Sequence, residues 1–131
     1  MASNSKKPIN SGVKGKRGER QVRDLLIQYG YTARRGRQFS GSPDSPDVVS
    51  SFDEIHIESK WVESLNIYKA FEQSEKDAGS KIPTVWHRKS RTPWMVTLRA
   101  EDFLRLANRS KEQKQPESIL PALMGVYRLV Q

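Results

Sequence analysis

The first clear pattern along the chain is a stripe of apolar residues at helical spacing. From Val22, apolar side chains recur at i, i+3, i+4 and i+7, and Gly30 follows at the position where helices commonly end. We therefore predict an amphipathic helix over residues 16–29. Glu19 lies three residues before Val22, so it extends the same face toward the core, where an unpaired carboxylate would be costly.

A second pattern, with a period of two residues, runs from 55 to 61 and predicts a strand whose successive side chains leave opposite faces. Val48 and Val49 indicate a preceding strand, and a tight turn at 53–54 makes the two strands antiparallel neighbours. On the later strand, one face carries Ile55, Ile57 and Ser59, and the other carries His56, Glu58 and Lys60.

The remaining segments are shorter and are separated by glycine and proline. We predict a strand at 31–35, a polar loop at 36–46, and a helix capped by Ser64 and ended by Gly79. A hairpin should follow, with strands at 84–88 and 94–98, and then a short helix near 101–108. Residues 111–118 indicate a polar linker, and residues 119–130 form an interrupted apolar segment.

Length and charge add limits to this picture. The 131 residues are enough for one domain, and the formal net charge of +8 favours polyanionic partners. The first seventeen residues contain five basic and no acidic side chains, so much of the excess is a tail that either keeps the protein soluble or contacts DNA. We predict a disordered basic tail at 1–14, a main domain at 15–110 and a C-terminal extension at 111–131 that packs on the domain or contributes to a dimer.

The residue inventory also excludes several kinds of site. There are no cysteines and only two histidines, which excludes disulfides and iron–sulfur clusters and argues against structural zinc. Any metal should be hard and bound by oxygen. No apolar run approaches the length of a membrane span, and no signal peptide is evident, so we expect a cytoplasmic protein without membrane partners.

Three charged residues can converge on the two central strands. Asp47 begins one strand, while Glu58 and Lys60 share a face of the next. Two close carboxylates need a cation between them, and Mg²⁺ prefers oxygen ligands. Singly, each residue is better explained as a solvated surface or turn residue. Their combination indicates a metal-dependent centre in which Lys60 orients water or offsets charge on a phosphate.

The paired motifs Pro46-Asp47 and Glu58-Ser59-Lys60 resemble the PD-(D/E)xK nuclease superfamily. Within it, the chain is most similar to the archaeal-type Holliday junction resolvases and their phage relatives, over residues 18–106. The resemblance is carried also by Gly18-Glu19-Arg20, Arg34-Arg35, Ser40 and Glu72-Gln73-Ser74. It implies an α/β, restriction-endonuclease-like core with a mixed central β-sheet flanked by helices.

The resemblance also implies roles for individual residues. Glu19 would join Asp47 and Glu58 around Mg²⁺, for which Mn²⁺ should substitute, and Lys60 would assist the water. A second Pro-Asp pair ends at Asp44; we prefer Asp47 because Val48-Val49 follow it directly and fix it to a strand. The residues expected to face DNA are Arg20, Arg34, Arg35, Arg37 and Ser40.

Other candidates have equally ordinary explanations. His56 shares the Glu58 face and is either an accessory residue or a packed strand histidine, and Gln73 either reaches the site or faces solvent. The aromatic residues could stack on splayed bases, although a place in the core is the more usual explanation. They are Trp61, Tyr68, Trp86 and Trp94.

The leading functional hypothesis is a homodimeric endonuclease of DNA recombination that resolves four-way (Holliday) junctions by Mg²⁺-dependent phosphodiester hydrolysis, since two-fold symmetry suits that substrate. One alternative is a nuclease of the same superfamily that cuts flaps, nicks or linear duplex DNA. The other is a catalytically silent DNA-binding module, which would not require the Glu58-Ser59-Lys60 strand.

Overall fold

The computed structural model describes residues 11–36 and 46–113. In chain order these form three helices and five strands. The elements are α1 (Ser11–Gln28), β1 (Ala33–Arg35), β2 (Val48–Ser50), β3 (Ile55–Trp61), α2 (Ile67–Ala78), β4 (Ile82–Arg88), β5 (Met95–Thr97) and α3 (Ala100–Gln113).

The five strands form one sheet in the order β1-β2-β3-β4-β5. β3 and β4 are parallel and are connected through α2, while the other three neighbouring pairs are antiparallel. A parallel pair needs a crossover connection, and α2 supplies it. The predicted α/β class, with a mixed sheet flanked by helices, is confirmed, as are the β4–β5 hairpin and the antiparallel pairing of β2 with β3.

Helices α1 and α2 cover opposite faces of β3, as its alternating pattern requires. A Cβ atom on Gly18 of α1 would lie 3.4 Å from Trp61 Cβ and 3.4 Å from Ser59 Oγ, so α1 lies on the Ser59 face at close range. On the other face, Asp77 of α2 approaches His56 and Glu58. The apolar core therefore forms around both helices and the central strands, from Val22, Leu26, Val48, Ile55, Ile57, Ala70, Ala78 and Val85.

Buried hydroxyl groups link α2 to the two central strands. Ser74 Oγ donates a hydrogen bond to the Thr84 carbonyl at 2.9 Å, and Thr84 Oγ1 donates to the His56 carbonyl at 2.6 Å. Both side chains are almost fully buried. Because unpaired buried hydroxyls are costly, these bonds fix how α2 sits on the sheet and therefore where Asp77 points.

Several predicted boundaries were wrong. The cap of α2 is Asn66, whose side chain accepts from the Lys69 amide at 3.1 Å, rather than Ser64. Helix α1 begins at Ser11, so residues 11–14, predicted to be disordered, are helical. Helix α3 continues through Lys111, which we had placed in a linker.

The chain divides into two compact units, Met1–Leu98 and Arg99–Gln131. The five-stranded sheet and helices α1 and α2 belong to the first, and α3 belongs to the second. The predictions for residues 1–10, for the loop at 37–45 and for the segment 114–131 fall outside the described residues. In the described ranges, no helix is long and apolar enough to cross a membrane.

Candidate metal-dependent active site

Asp47 is fixed by hydrogen bonds to β3 on one side and to Gly36 on the other. Its amide donates to the Ile57 carbonyl at 3.0 Å, and its Oδ2 accepts from the Ser59 amide at 2.8 Å. Its own carbonyl accepts from the Gly36 amide at 2.8 Å. A side chain at position 36 would place Cβ 1.8 Å from the Pro46 carbonyl oxygen, so only glycine permits this close approach. Asp47 is thus held against β3 at the beginning of β2.

Glu58 and Lys60 lie on the same face of β3, as predicted from the alternation. Glu58 is only 5% exposed, whereas Lys60 is partly exposed. Glu58 Oε1 lies 2.9 Å from His56 Nε2, so the imidazole donates to the carboxylate. His56 is 3% exposed and therefore contacts the candidate site from within the core. The burial and the hydrogen bond fit both interpretations of His56, the accessory residue and the packed strand histidine.

The pKa of Asp47 responds to the charges of the three other predicted groups. Burial is the largest cause of the rise and the negative charges of Glu58 and Glu19 add to it, while the Ser59 hydrogen bond and the positive charge of Lys60 oppose it; the result is a pKa of about 7 instead of 3.8. A partly buried carboxylate close to two more carboxylates is stabilised by a cation. The donor set, three carboxylates, fits a hard divalent ion.

Glu19 is held by Arg35 rather than left free in the site. Arg35 Nε and Nη2 both donate to Glu19 Oε2, at 2.9 and 2.8 Å. Both side chains are partly buried. The ion pair connects α1 to β1, and it means that Arg35, which we expected to face DNA, is engaged with an acidic residue of the candidate site.

A second set of ligand atoms shares Glu58. Within the described ranges, one trio of acidic and histidine side chains offers ligand atoms that lie within 4.8 Å of one another, namely His56, Glu58 and Asp77. A cleft of about 300 Å³ beside it is lined by His56, Asp77, Pro46 and Lys81 among others. Glu19 and Asp47 are not in this closest group, so Glu58 stands between two possible positions for a cation.

Asp77 was not predicted from the sequence. One feature of the sequence points to it: Asp77 precedes Ala78 and follows Ser74 by three residues, which places it at the border of the buried face of α2. Gln73, the residue we had considered on this helix, is exposed. An acidic residue at the edge of a buried helical face is common, so the pattern alone did not distinguish Asp77 from a solvated side chain.

The predicted DNA-facing residues have mixed outcomes. Arg20 on α1 and Arg34 on β1 are exposed and available for contacts. Arg37, Ser40 and the alternative Asp44 lie outside the described ranges. Among the aromatic residues, Tyr68 is 84% exposed and is not in the core, whereas Trp61, Trp86 and Trp94 are partly buried.

Comparisons with known proteins find similar chains among solved structures. No family model matches the chain, and no curated protein sequence matches it. Among solved structures, it is similar to Hjc, a Holliday junction resolvase from the archaeal hyperthermophile Archaeoglobus fulgidus. The two chains are 26% identical, the likeness covers 64% of this chain and 76% of the archaeal one, and the TM-score is 0.49. The function of this chain is therefore inferred from its own side chains.

Proposed function

We propose that the chain is a metal-dependent endonuclease that hydrolyses phosphodiester bonds in DNA. The observation that carries this proposal is the electrostatic state of Asp47, whose pKa is raised to about 7 by burial and by the charges of Glu58 and Glu19. Such a carboxylate is costly to the fold unless it serves a cation, and strongly perturbed groups of this kind cluster at functional sites. The nuclease core would be the predicted domain at 15–110, of restriction-endonuclease-like type.

Mg²⁺ is the ion proposed for this site, with Mn²⁺ as a substitute. Asp47, Glu58 and Glu19 would hold it through carboxylate oxygens, and both hydrogen bonds from Arg35 to Glu19 go to Oε2. A bound Mg²⁺ would supply Lewis acidity, which activates water and polarises a phosphoryl oxygen. His56 keeps Glu58 oriented through its 2.9 Å hydrogen bond, so one carboxylate oxygen of Glu58 is directed before any ion arrives.

Lys60 is the proposed partner of the reacting phosphate. It lies on the Glu58 face of β3, and its positive charge lowers the pKa of Asp47, which supports an electrostatic contribution of Lys60 to the site. An ammonium group there orients the attacking water and offsets negative charge that develops on the phosphate. Glu58 and Lys60 are rigidly spaced because both belong to one strand.

The proposed substrate is branched DNA, specifically the four-way junction. This part of the proposal is supported by the motif resemblance to archaeal-type Holliday junction resolvases and by the exposure of Arg20 and Arg34, which neighbour Glu19 and Arg35 in the chain. A homodimer would place two sites symmetrically on the junction. Arg37 and Ser40 are kept as proposed DNA contacts on the same resemblance.

The test uses a labelled mobile four-way junction and a linear duplex of matched sequence, each with Mg²⁺ and with chelator. Paired nicks in the junction that need Mg²⁺ are expected. Glu58→Gln and Lys60→Ala should each reduce cleavage by about 100-fold or more, as removal of one transition-state contact commonly does. The exposed Glu112→Gln and Lys69→Ala are matched controls that should cut normally.

Each alternative function has its own outcome in this assay. Equal cutting of linear duplex and junction would replace the resolvase with a general nuclease of the same chemistry. Junction binding without cleavage in any metal would identify a silent binding module. Cleavage that survives Glu58→Gln and Lys60→Ala would show that the site itself is wrongly assigned.

A further inference from the structure

Away from the carboxylates, three basic side chains surround the indole ring of Trp61 at the end of β3. Lys14 Nζ and Arg17 Cζ each lie 5.5 Å from the ring centroid, and Arg88 Cζ lies 4.7 Å from it. These distances are within the range of cation–π attraction. Lys14 and Arg17 come from α1 and Arg88 from the end of β4, so three elements meet at one ring. We call Trp61, Lys14, Arg17 and Arg88 the Trp61 cluster.

Arg88 is held in a defined orientation within the cluster. Its guanidinium also lies 5.9 Å from the ring centroid of Trp94. Gln21 Oε1 accepts from Arg88 Nη1 at 2.9 Å and from Trp94 Nε1 at 3.0 Å. A guanidinium has five N–H donors, so donors remain after the bond to Gln21. Pre-ordering of a long side chain lowers the entropy lost when those donors bind an anion.

The turn that follows Arg88 adds further positive charge. Lys89 and Arg91 are exposed, and Arg91 has a positive φ of 65°, which is uncommon for a residue other than glycine. Glu63 ties this turn to α1, because it accepts from Lys14 Nζ at 2.6 Å and from the Ser90 amide and hydroxyl. Glu63 thus offsets Lys14, and among the described residues neither Arg17 nor Arg88 forms an ion pair with a carboxylate.

The cluster belongs to elements that also carry the active site, but it lies on another surface of them. Trp61 has the orientation of Ser59 on β3, on the face that α1 covers, whereas Glu58 and Lys60 leave the opposite face. Arg17 precedes Glu19 by two residues on α1, so the two side chains point to different sides of the helix.

We propose that the Trp61 cluster, with Lys89 and Arg91, binds phosphates of the DNA backbone outside the active site. The cluster suits phosphates rather than bases, because cations already engage the ring that would otherwise stack on a base. This inference rests on the proposed nuclease function. It assigns affinity to the cluster, whereas cleavage belongs to the carboxylates.

The experiment measures the affinity of the protein for the four-way junction by fluorescence anisotropy across a series of salt concentrations. Every variant also carries Glu58→Gln, and chelator is present, so that no DNA is cut. Each lost phosphate contact should reduce the slope of log affinity against log salt by about 0.9. The slope is negative, and its magnitude should therefore be smaller by about 2 in the Arg17→Gln/Arg88→Gln variant. Because Arg88 also supports Gln21 and Trp94, the exposed pair Arg17→Gln/Arg91→Gln provides a second variant with less risk to folding.

The matched control removes two exposed basic residues of α2, Lys69→Gln/Lys76→Gln, and should leave the slope unchanged. Trp61→Leu should weaken binding, because the two guanidinium groups lose their support. The inference is overturned if folded cluster variants keep the slope of the control while the Glu58→Gln parent binds DNA. If the parent fails to bind the junction at all, the proposed function fails first, and the two failures are therefore distinguishable.

Discussion

Asp47→Asn should stabilise the metal-free protein while abolishing the proposed cleavage activity. The folded chain holds the Asp47 proton more tightly than the unfolded chain does, because the pKa rises from 3.8 to about 7. The cost of ionisation is therefore absent below about pH 3.8, grows between 3.8 and 7, and is complete above that range. Asparagine removes the charge, and its side-chain oxygen can still accept the Ser59 amide.

The size of the effect follows from the pKa values. A rise from 3.8 to about 7 corresponds to a cost of roughly 4 kcal/mol at pH 8, since each pKa unit is worth about 1.4 kcal/mol. At pH 5 the same relation gives a cost of about 2 kcal/mol. Between these two pH values, Asp47 should lower the free energy of unfolding by about 2 to 3 kcal/mol, and Asp47→Asn should remove that decrease.

Urea unfolding at pH 5 and pH 8 in chelator measures this difference directly. Asp53→Asn, an exposed aspartate in the turn between β2 and β3, is the matched control and should behave as the wild type. Mg²⁺ should restore wild-type stability at pH 8 and have little effect on Asp47→Asn, because binding to the folded state alone stabilises it. Equal pH dependence in the wild type and Asp47→Asn would refute the electrostatic account of the site.

Three further substitutions test other parts of the structure. Gly36→Ala should distort the chain next to Pro46 and displace Asp47, so cleavage at saturating Mg²⁺ should be reduced. Wild-type activity would show that the close approach of residue 36 to Pro46 is unnecessary. Asn66→Ala should lower the free energy of unfolding by about 1 kcal/mol without changing cleavage, and a larger loss of activity than of stability would contradict a simple capping role. Arg35→Gln should increase the apparent Mg²⁺ affinity several-fold in thermal-shift titrations, because it removes a positive charge that is paired with a proposed metal ligand. Reduced affinity would mean that the ion pair orients Glu19 for the metal instead.

Most of the framework of the site could be predicted because it depends on local patterns. The alternation of β3 placed Glu58 and Lys60 on one face, and the strand that begins after Asp47 placed that carboxylate beside them. These relations hold within one strand or between strands joined by a short turn, so few conformations compete with them.

The contacts that were missed join elements distant in sequence. The pairing of Arg35 with Glu19 connects β1 to α1, and the approach of Asp77 to Glu58 depends on how α2 sits on the sheet. Neither follows from spacing along the chain, because many packings of a helix on a sheet satisfy one apolar stripe. The cap of α2 was misplaced because Ser64 and Asn66 are both good capping residues two positions apart, and only the backbone geometry decides between them.

The hydrogen bond from Gly36 to Asp47 has a consequence for how such a protein can diversify. It joins the two ends of the segment 37–45 next to the paired strands β1 and β2. The cost of closing a connection grows only slowly with its length. Segments of different length or composition could therefore be exchanged between positions 36 and 46 while the carboxylate stays against β3. Gly36 would then be the fixed end of every such exchange.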